Sequence, residues 1–306
     1  MTIRFDRPLS RAARLGHQMA AFALVLCILV LLGHRFGSLT TPYLVLFLLL
    51  SAGLALFAVL LAFAGLVQLW RFGAVAGVSA LKTLVYAALP LALLGFAAER
   101  YVTRPALFDV TTDLADAPAW LVPPRPERLW LSRDPTISDA TRQAQSLAYP
   151  ELTGRRYEGA MDRVLLAVRK VARQRGIVLV KAEGTEVRDP TIDDLPAKPQ
   201  RGGPIVRAPD IGPIPIPRPE ATLEDNDPIA ALIQRVTDVT LQGETRTKIF
   251  GLPLDVVIRL HEEAETTLVD IRVASRYGAH DLGVSASVAA AYLKALDAEL
   301  LGIVGN

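Results

Sequence analysis

The feature that most constrains this chain is an apolar block that fills residues 15–98 almost without interruption. The block contains three runs, at residues 15–33, 42–69 and 74–98. A helix needs roughly 20 mainly apolar residues to cross about 30 Å of hydrocarbon, and the runs match this length. The pattern predicts three membrane-spanning helices. Residues typical of a membrane interface follow the runs, namely His34 and Arg35, Trp70 and Arg71, and Glu99, Arg100 and Tyr101.

Two other interpretations of the apolar block fit less well. The second run is too long and too free of charge for a helix buried in a soluble protein. The first run has the apolar core of a signal peptide, but it lacks a small-x-small cleavage site, and another span follows directly. We therefore divide the chain into a membrane domain, residues 1–104, and a soluble domain, residues 105–306.

The positions of arginine predict the orientation of the spans, because cytoplasmic loops carry an excess of basic residues. The bias predicts a multi-pass protein of the bacterial inner membrane, with a cytoplasmic N-terminus and a periplasmic soluble domain. Lys82 lies inside the third run, where a charge marks either a functional site or, as we prefer, a side chain that extends back to the interface. The arginines on the predicted inner side are Arg4, Arg7, Arg11, Arg14 and Arg71, against Arg35, Arg100 and Arg104 outside.

Composition argues against several classes of function. The net charge of +2 gives no electrostatic footprint for nucleic acid. The single cysteine, Cys27, lies inside the first run, so one chain forms no disulfide and presents no thiol nucleophile to water. The motifs G-x-S-x-G and H-E-x-x-H and a phosphate-binding glycine loop are absent. We predict no cofactor and no metal, and the expected partner is the lipid bilayer.

The soluble domain is predicted to have an α+β fold, an antiparallel sheet with two helices packed on one face. Helical periodicity occupies residues 157–175 and a final helix that Ser285 caps. A proline-rich insertion at about 185–228 is polyproline-like or disordered, either a docking strip for a partner or, as we prefer, a stiff loop. Strands are predicted at residues 177–181, 232–241 and 244–250, and a hairpin at residues 255–260 and 267–274.

The hairpin has one apolar face and one charged face. Matching the apolar faces leaves two registers, one with Asp255 opposite Arg272 and one with Arg259 opposite Asp270. The charged face is either a set of exposed ion pairs, worth about 0–1 kcal/mol each, or a site for an anionic ligand. The candidate ligand-binding residues are Arg259, Arg272, Arg276, Asp255, Asp281 and Ser275.

Several motifs of the soluble domain occur together in one known family. They are Asp255-Val-Val-Ile-Arg259, Val269-Asp-Ile-Arg272, Ala274-Ser-Arg-Tyr-Gly278, Asp281-Leu-Gly283 and, upstream, Asp109-Val-Thr-Thr-Asp113. Over residues 108–300 the chain resembles the domain-of-unknown-function family numbered 1499. The resemblance implies a domain often found with membrane segments in bacterial envelopes, without an established activity. It adds Asp109, Thr111, Thr112, Asp113, Gly278 and Gly283 as motif positions.

We expect the soluble domain to be a binding or interaction module of the cell envelope, for an anionic small molecule, a lipid headgroup or a partner protein. One alternative is a periplasmic enzyme of unknown reaction that uses His280, Asp281 or the Asp109 and Asp113 pair. A metal site from Asp109, Asp113 and Asp116 lacks the glycine and closing glutamate of an EF-hand loop. The other alternative is a structural subunit of a membrane complex, in which the spans are the active part.

Overall fold

The computed structural model describes residues 10–72, 77–124, 130–131, 137–184 and 238–302. These residues form six helices and six strands. The helices are α1 (Arg11–Phe36), α2 (Thr41–Phe72), α3 (Gly77–Thr103), α4 (Asp139–Ala148), α5 (Met161–Gln174) and α6 (Val284–Leu300). The strands are β1 (Asp109–Thr111), β2 (Arg155–Glu158), β3 (Val178–Glu183), β4 (Asp238–Arg246), β5 (Pro253–Glu262) and β6 (Thr266–Ser275).

Helices α1, α2 and α3 are long and apolar enough to cross a membrane, as predicted. Small residues form their contacts: Ala23, Ala55 and Ala87 pack together, and the Ser51 hydroxyl donates to the carbonyl of Ala23 at 2.8 Å. Large apolar side chains point outward, and Phe57 is half exposed. Small residues at the contacts are typical of helices that associate in lipid.

The strands form one antiparallel sheet in the order β1-β6-β5-β4-β3. Both β1 and β2 pair with β6, at residues 272–274 and 266–269 respectively. The hairpin of β5 and β6 confirms the predicted alternation, and its register places Arg259 opposite Asp270. Asp255 lies opposite Ala274, so the other register is wrong.

The apolar core lies between one face of the sheet and helices α5 and α6, as predicted. Val256 and Ile258 of β5 are completely buried in it. The hydroxyl of Tyr292, in α6, donates to the carbonyl of Val168 in α5 at 3.1 Å, and this bond joins the two helices. The opposite face of the sheet carries the charged residues, which positions the candidate site.

The helix predicted at residues 157–175 begins later, at Met161. Tyr157 belongs to β2, where it lies opposite Thr267 and buries its ring. Gly159 follows with φ +117°, a backbone conformation that suits glycine and separates strand from helix. The helix was predicted to begin too early because Tyr157 of β2 fits the helical spacing of the apolar residues in α5.

Strand β4 runs without a break, whereas the sequence predicted two strands at residues 232–241 and 244–250. Gly243 lies inside the strand, and a β-carbon there would lie 2.7 Å from the carbonyl oxygen of Val178. The glycine therefore lets β3 approach and does not end a strand. Residues 232–237 and the proline-rich insertion at 185–228 lie outside the described residues.

The prediction that Ser285 caps the last helix is wrong. Gly283 occupies the cap position, and the Asp281 carboxylate accepts hydrogen bonds from the backbone N–H groups of Gly283 at 2.8 Å and Ser285 at 2.6 Å. A carboxylate satisfies the first N–H groups of a helix and interacts favourably with its dipole. Helix α4, which Ser138 caps, comes from a stretch with only weak periodicity and was not predicted.

Candidate functional site

The charged face of the sheet is covered by residues 112–122, which we call the covering segment. At one end the Thr112 hydroxyl donates to Asp270 Oδ1 at 2.8 Å. At the other end the Gln242 amide exchanges two hydrogen bonds of 2.8 Å with the backbone of Val122. The chain itself therefore occupies the face on which the sequence predicted either exposed ion pairs or a ligand.

Arg272 is held beneath the covering segment by Asp109. Its Nε donates to Asp109 Oδ1 at 3.0 Å and its Nη2 to Oδ2 at 2.8 Å, which makes the pair bidentate. Its Nη1 donates to the carbonyl of Pro118, and the guanidinium lies 5.0 Å from the ring centre of Trp120. The two charged side chains are 12 % and 4 % exposed. The charge of Arg272 is thus compensated within the domain.

Arg259 is compensated in the same way by three carboxylates. It contacts Asp116 at 2.5 Å, and Asp113 and Asp270 at 3.2 Å each. Burial lowers the pKa of Arg259, but the hydrogen bonds with Asp116 and Asp270 outweigh it and leave this pKa above its ordinary value. Arg259 therefore remains a cation and anchors the covering segment to the sheet.

Arg276 also pairs with two carboxylates, but neither belongs to the covering segment. It pairs with buried Asp255 at 2.5 Å and with half-exposed Glu244 at 2.7 Å. The hydrogen bond with Asp255 raises the pKa of Arg276 above its ordinary value. Of the three predicted arginines, Arg276 alone also lines a cavity at the membrane side of the domain, described below.

The loop after β6 has structural contacts at each predicted position. The Ser275 hydroxyl donates to the carbonyl of Tyr277 at 2.7 Å, and Asp281 caps α6. His280 Nε2 lies 3.2 Å from the carbonyl oxygen of Tyr101 and 3.1 Å from that of Arg104, in and just after α3. Because carbonyl oxygens only accept, Nε2 carries the hydrogen, a tautomer assigned from these partners. His280 thus joins the soluble domain to α3, which leaves it poorly placed as a catalytic base.

The upstream motif, residues 109–113, includes β1 and connects α4 to the sheet. Gln145 of α4 accepts from the backbone N–H of Thr111 and donates to its carbonyl at 2.6 Å. Asp113 accepts from two backbone N–H groups of its own turn and pairs with Arg259. Asp109 pairs with Arg272 and lies 3.9 Å from Arg142, whereas Asp113 and Asp116 pair with Arg259. Among the described residues no group of side chains is arranged to hold a metal ion.

A cavity of about 430 Å³ lies where the soluble domain meets the end of α1. Small-molecule sites commonly enclose about 300–1,000 Å³, so the volume suits a compact ligand. We call it the basic cavity. Its charged lining comprises Arg35, Arg173, Arg175, Arg246, Lys248, Arg276 and Glu244.

Most of the positive charge in the basic cavity is uncompensated. Glu244 is its one carboxylate, and it pairs with Arg276. In the described part of the chain, the other five cations form no ion pair with a carboxylate. Arg173 and Arg175 lie at the C-terminal end of α5, where the negative end of the helix dipole offsets their charge only in part. The cavity is therefore suited to an anion.

His34 fixes the membrane side of the basic cavity. Its side chain is buried, Nδ1 donates to the carbonyl of Phe250 at 2.7 Å, and Nε2 lies 3.1 Å from the Thr41 hydroxyl, within hydrogen-bond distance. Phe250 follows Lys248 in the turn between β4 and β5. This contact brings Arg35 beside the turn: a β-carbon added at Gly251 would lie 3.5 Å from Arg35 Cα.

Comparison with protein families places this domain. A family model described as a protein of unknown function (DUF1499) matches residues 130–296, more than half of the chain. The chain belongs to the DUF1499 family. No curated protein and no solved structure matches it. The match includes α4, α5, the hairpin and α6 up to residue 296, whereas the upstream motif at residues 109–113 lies outside it.

Sequence reasoning did not find the basic cavity of this DUF1499 protein. Its cations come from α1, α5, β4, the turn after β4 and the loop after β6, and of these the sequence singled out only Arg276 as a ligand-binding candidate. One further signal was present, because Arg173 and Arg175 end an amphipathic helix at Gly176, Arg246 ends β4 and Lys248 follows in the turn. Neither pair indicates a site until the fold brings the two together.

Proposed function

We propose that the DUF1499 domain is a binding module of the cell envelope that takes an anionic group in the basic cavity. One observation carries the proposal: six cationic side chains and one carboxylate line a single cavity. The charged sheet face has arginines too, but those at its centre are matched by Asp109, Asp113, Asp116 and Asp270. Uncompensated cations beside a cavity favour an anionic ligand over a neutral one.

The proposed location is the outer face of the bacterial inner membrane. The N-terminal arginines favour a cytoplasmic N-terminus. Three spans then lead to the opposite side, where the end of α1 contacts the soluble domain through His34 and the end of α3 contacts it through His280. In this orientation the basic cavity faces the periplasmic leaflet.

Titration of the full-length protein in mild detergent with inorganic phosphate tests the proposal. We expect saturable binding at low ionic strength that weakens as salt is added, because salt screens partly exposed charges. The double variant Arg173→Gln/Arg175→Gln should weaken phosphate binding by about tenfold or more, since each lost charge-assisted hydrogen bond is worth roughly 1.5–3 kcal/mol.

The matched control is Arg163→Gln/Arg169→Gln, which removes the same charge from the same helix at positions that do not line the cavity. It should bind phosphate as the wild-type protein does. Absence of saturable phosphate binding by the wild-type protein would count against the proposal. Equal weakening in both double variants would also count against it, because the effect would then come from net charge.

A further inference from the structure

We propose that the natural occupant of the basic cavity is the headgroup of an anionic phospholipid from the leaflet in which α1 ends. The inference rests on the proposed function, because it names the class of ligand for the same cavity. The anionic group in the cavity is then the phosphate of a lipid and not a dissolved anion. Three independent features of the described residues support that choice.

The first feature is that the membrane anchor contributes a cation to the cavity. Arg35 lies in the last turn of α1, a span of 26 residues. At about 1.5 Å per residue this helix is roughly 39 Å long, so its ends extend beyond about 30 Å of hydrocarbon into the headgroup region. A cation at this depth lies at the level of phospholipid phosphates. The site is therefore incomplete without the anchor.

The second feature is exposed apolar surface beside the cations. Phe36, next to Arg35, is 81 % exposed, and Ile249, next to Lys248, is 79 % exposed. Both lie within two residues of the contact between His34 and Phe250. Cations with adjacent exposed apolar side chains match a ligand that has an anionic head and apolar tails.

The third feature is the sign and amount of charge. A zwitterionic headgroup brings its own cation into a cavity that already holds five uncompensated ones, whereas an anionic headgroup does not. Attraction between basic residues and an anionic lipid surface is worth about 1 kcal/mol per residue. We therefore expect phosphatidylglycerol to be preferred to phosphatidylcholine.

Native mass spectrometry of the full-length protein in detergent tests this inference with the two lipids as separate probes. The wild-type protein and the control Arg163→Gln/Arg169→Gln should retain one phosphatidylglycerol molecule. Arg173→Gln/Arg175→Gln/Lys248→Gln should retain at least about tenfold less, and phosphatidylcholine should bind equally weakly to all three. The three replaced residues are exposed, so thermal unfolding should be unchanged and loss of lipid cannot be ascribed to loss of fold.

The variant Ile249→Ser separates a lipid from a dissolved anion. It should reduce retention of phosphatidylglycerol and leave phosphate affinity unchanged, because it removes apolar contact without removing charge. If the triple variant retains phosphatidylglycerol as well as the wild-type protein does, the lipid inference is wrong. If phosphate binds the cavity while phosphatidylglycerol shows no preference, the proposed function stands and the lipid inference fails. If neither binds, both fail.

Discussion

The arginines of this domain divide into two groups by their partners. Arg259 and Arg272 are largely buried. Arg259 pairs with carboxylates of the covering segment, and Arg272 pairs with Asp109, which lies just before that segment. Arg173 and Arg175 are exposed and have no carboxylate partner among the described residues. The same residue type therefore holds the fold together in one place and is available to bind a ligand in the other.

Replacement of Arg272 tests this division at the level of one side chain. Arg272→Ala should lower the free energy of unfolding by about 3 kcal/mol, because buried Asp109 would lose its bidentate partner and keep only Arg142, 3.9 Å away. Chemical denaturation of the full-length protein measures the change in the free energy of unfolding. The control Arg156→Ala breaks a pair with Glu263 in which Arg156 is 64 % exposed, and should cost no more than about 1 kcal/mol.

Arg272→Ala also decides between the two interpretations of the charged face. A stable Arg272→Ala protein that has lost affinity for phosphate would show that Arg272 belongs to a ligand site. That result would contradict the structural role given to it here.

At the level of elements, the alternation of apolar and polar residues was sufficient to predict the hairpin but not the covering segment. Strands β5 and β6 alternate strictly, and this pattern fixed which residues face the core. The covering segment has no such pattern, because it is held by side chains distant in sequence. Arg259 and Asp116 are 143 residues apart, and no local signal links them.

The start of α6 shows a second limit of local rules. Serine and aspartate both cap helices, and the segment offers Asp281 and Ser285 within five residues. The backbone conformation decides which of the two caps α6. Gly283 has φ +74°, which turns the chain so that the Asp281 carboxylate reaches the first backbone N–H groups of α6. The sequence predicted the element correctly and its cap wrongly.

Removal of the Asp281 carboxylate should destabilise α6. Asp281→Ala should lower the free energy of unfolding by about 0.5–2 kcal/mol, the usual cost of losing a helix cap. Ser285→Ala serves as the comparison, since the Ser285 hydroxyl forms no hydrogen bond with any residue that the structure describes, and should have a smaller effect. The reverse order, measured by denaturation, would mean that Ser285 is the functional cap.

At the level of the whole molecule, hydrogen bonds join the anchor to the DUF1499 domain at two places within the described residues. His34 contacts the turn between β4 and β5, and His280 contacts the end of α3. The three spans could be predicted because length and hydropathy decide membrane insertion residue by residue. The junction could not, because it depends on contacts between residues far apart in sequence, and the basic cavity draws Arg35 from one side of it and its other cations from the other.

The most direct test of this account is disulfide cross-linking between Arg35→Cys and Gly251→Cys in native membranes, in a Cys27→Ser background. The Gly251 β-carbon position lies 3.5 Å from Arg35 Cα, within reach of a disulfide, and the single variant Gly251→Cys controls for the strain of a side chain at φ +72°. We expect an intramolecular disulfide under mild oxidation in the double variant and in neither single variant. Failure to form it, in protein that is folded and inserted, would contradict the claim that the end of α1 lies beside this turn and supplies Arg35 to the basic cavity.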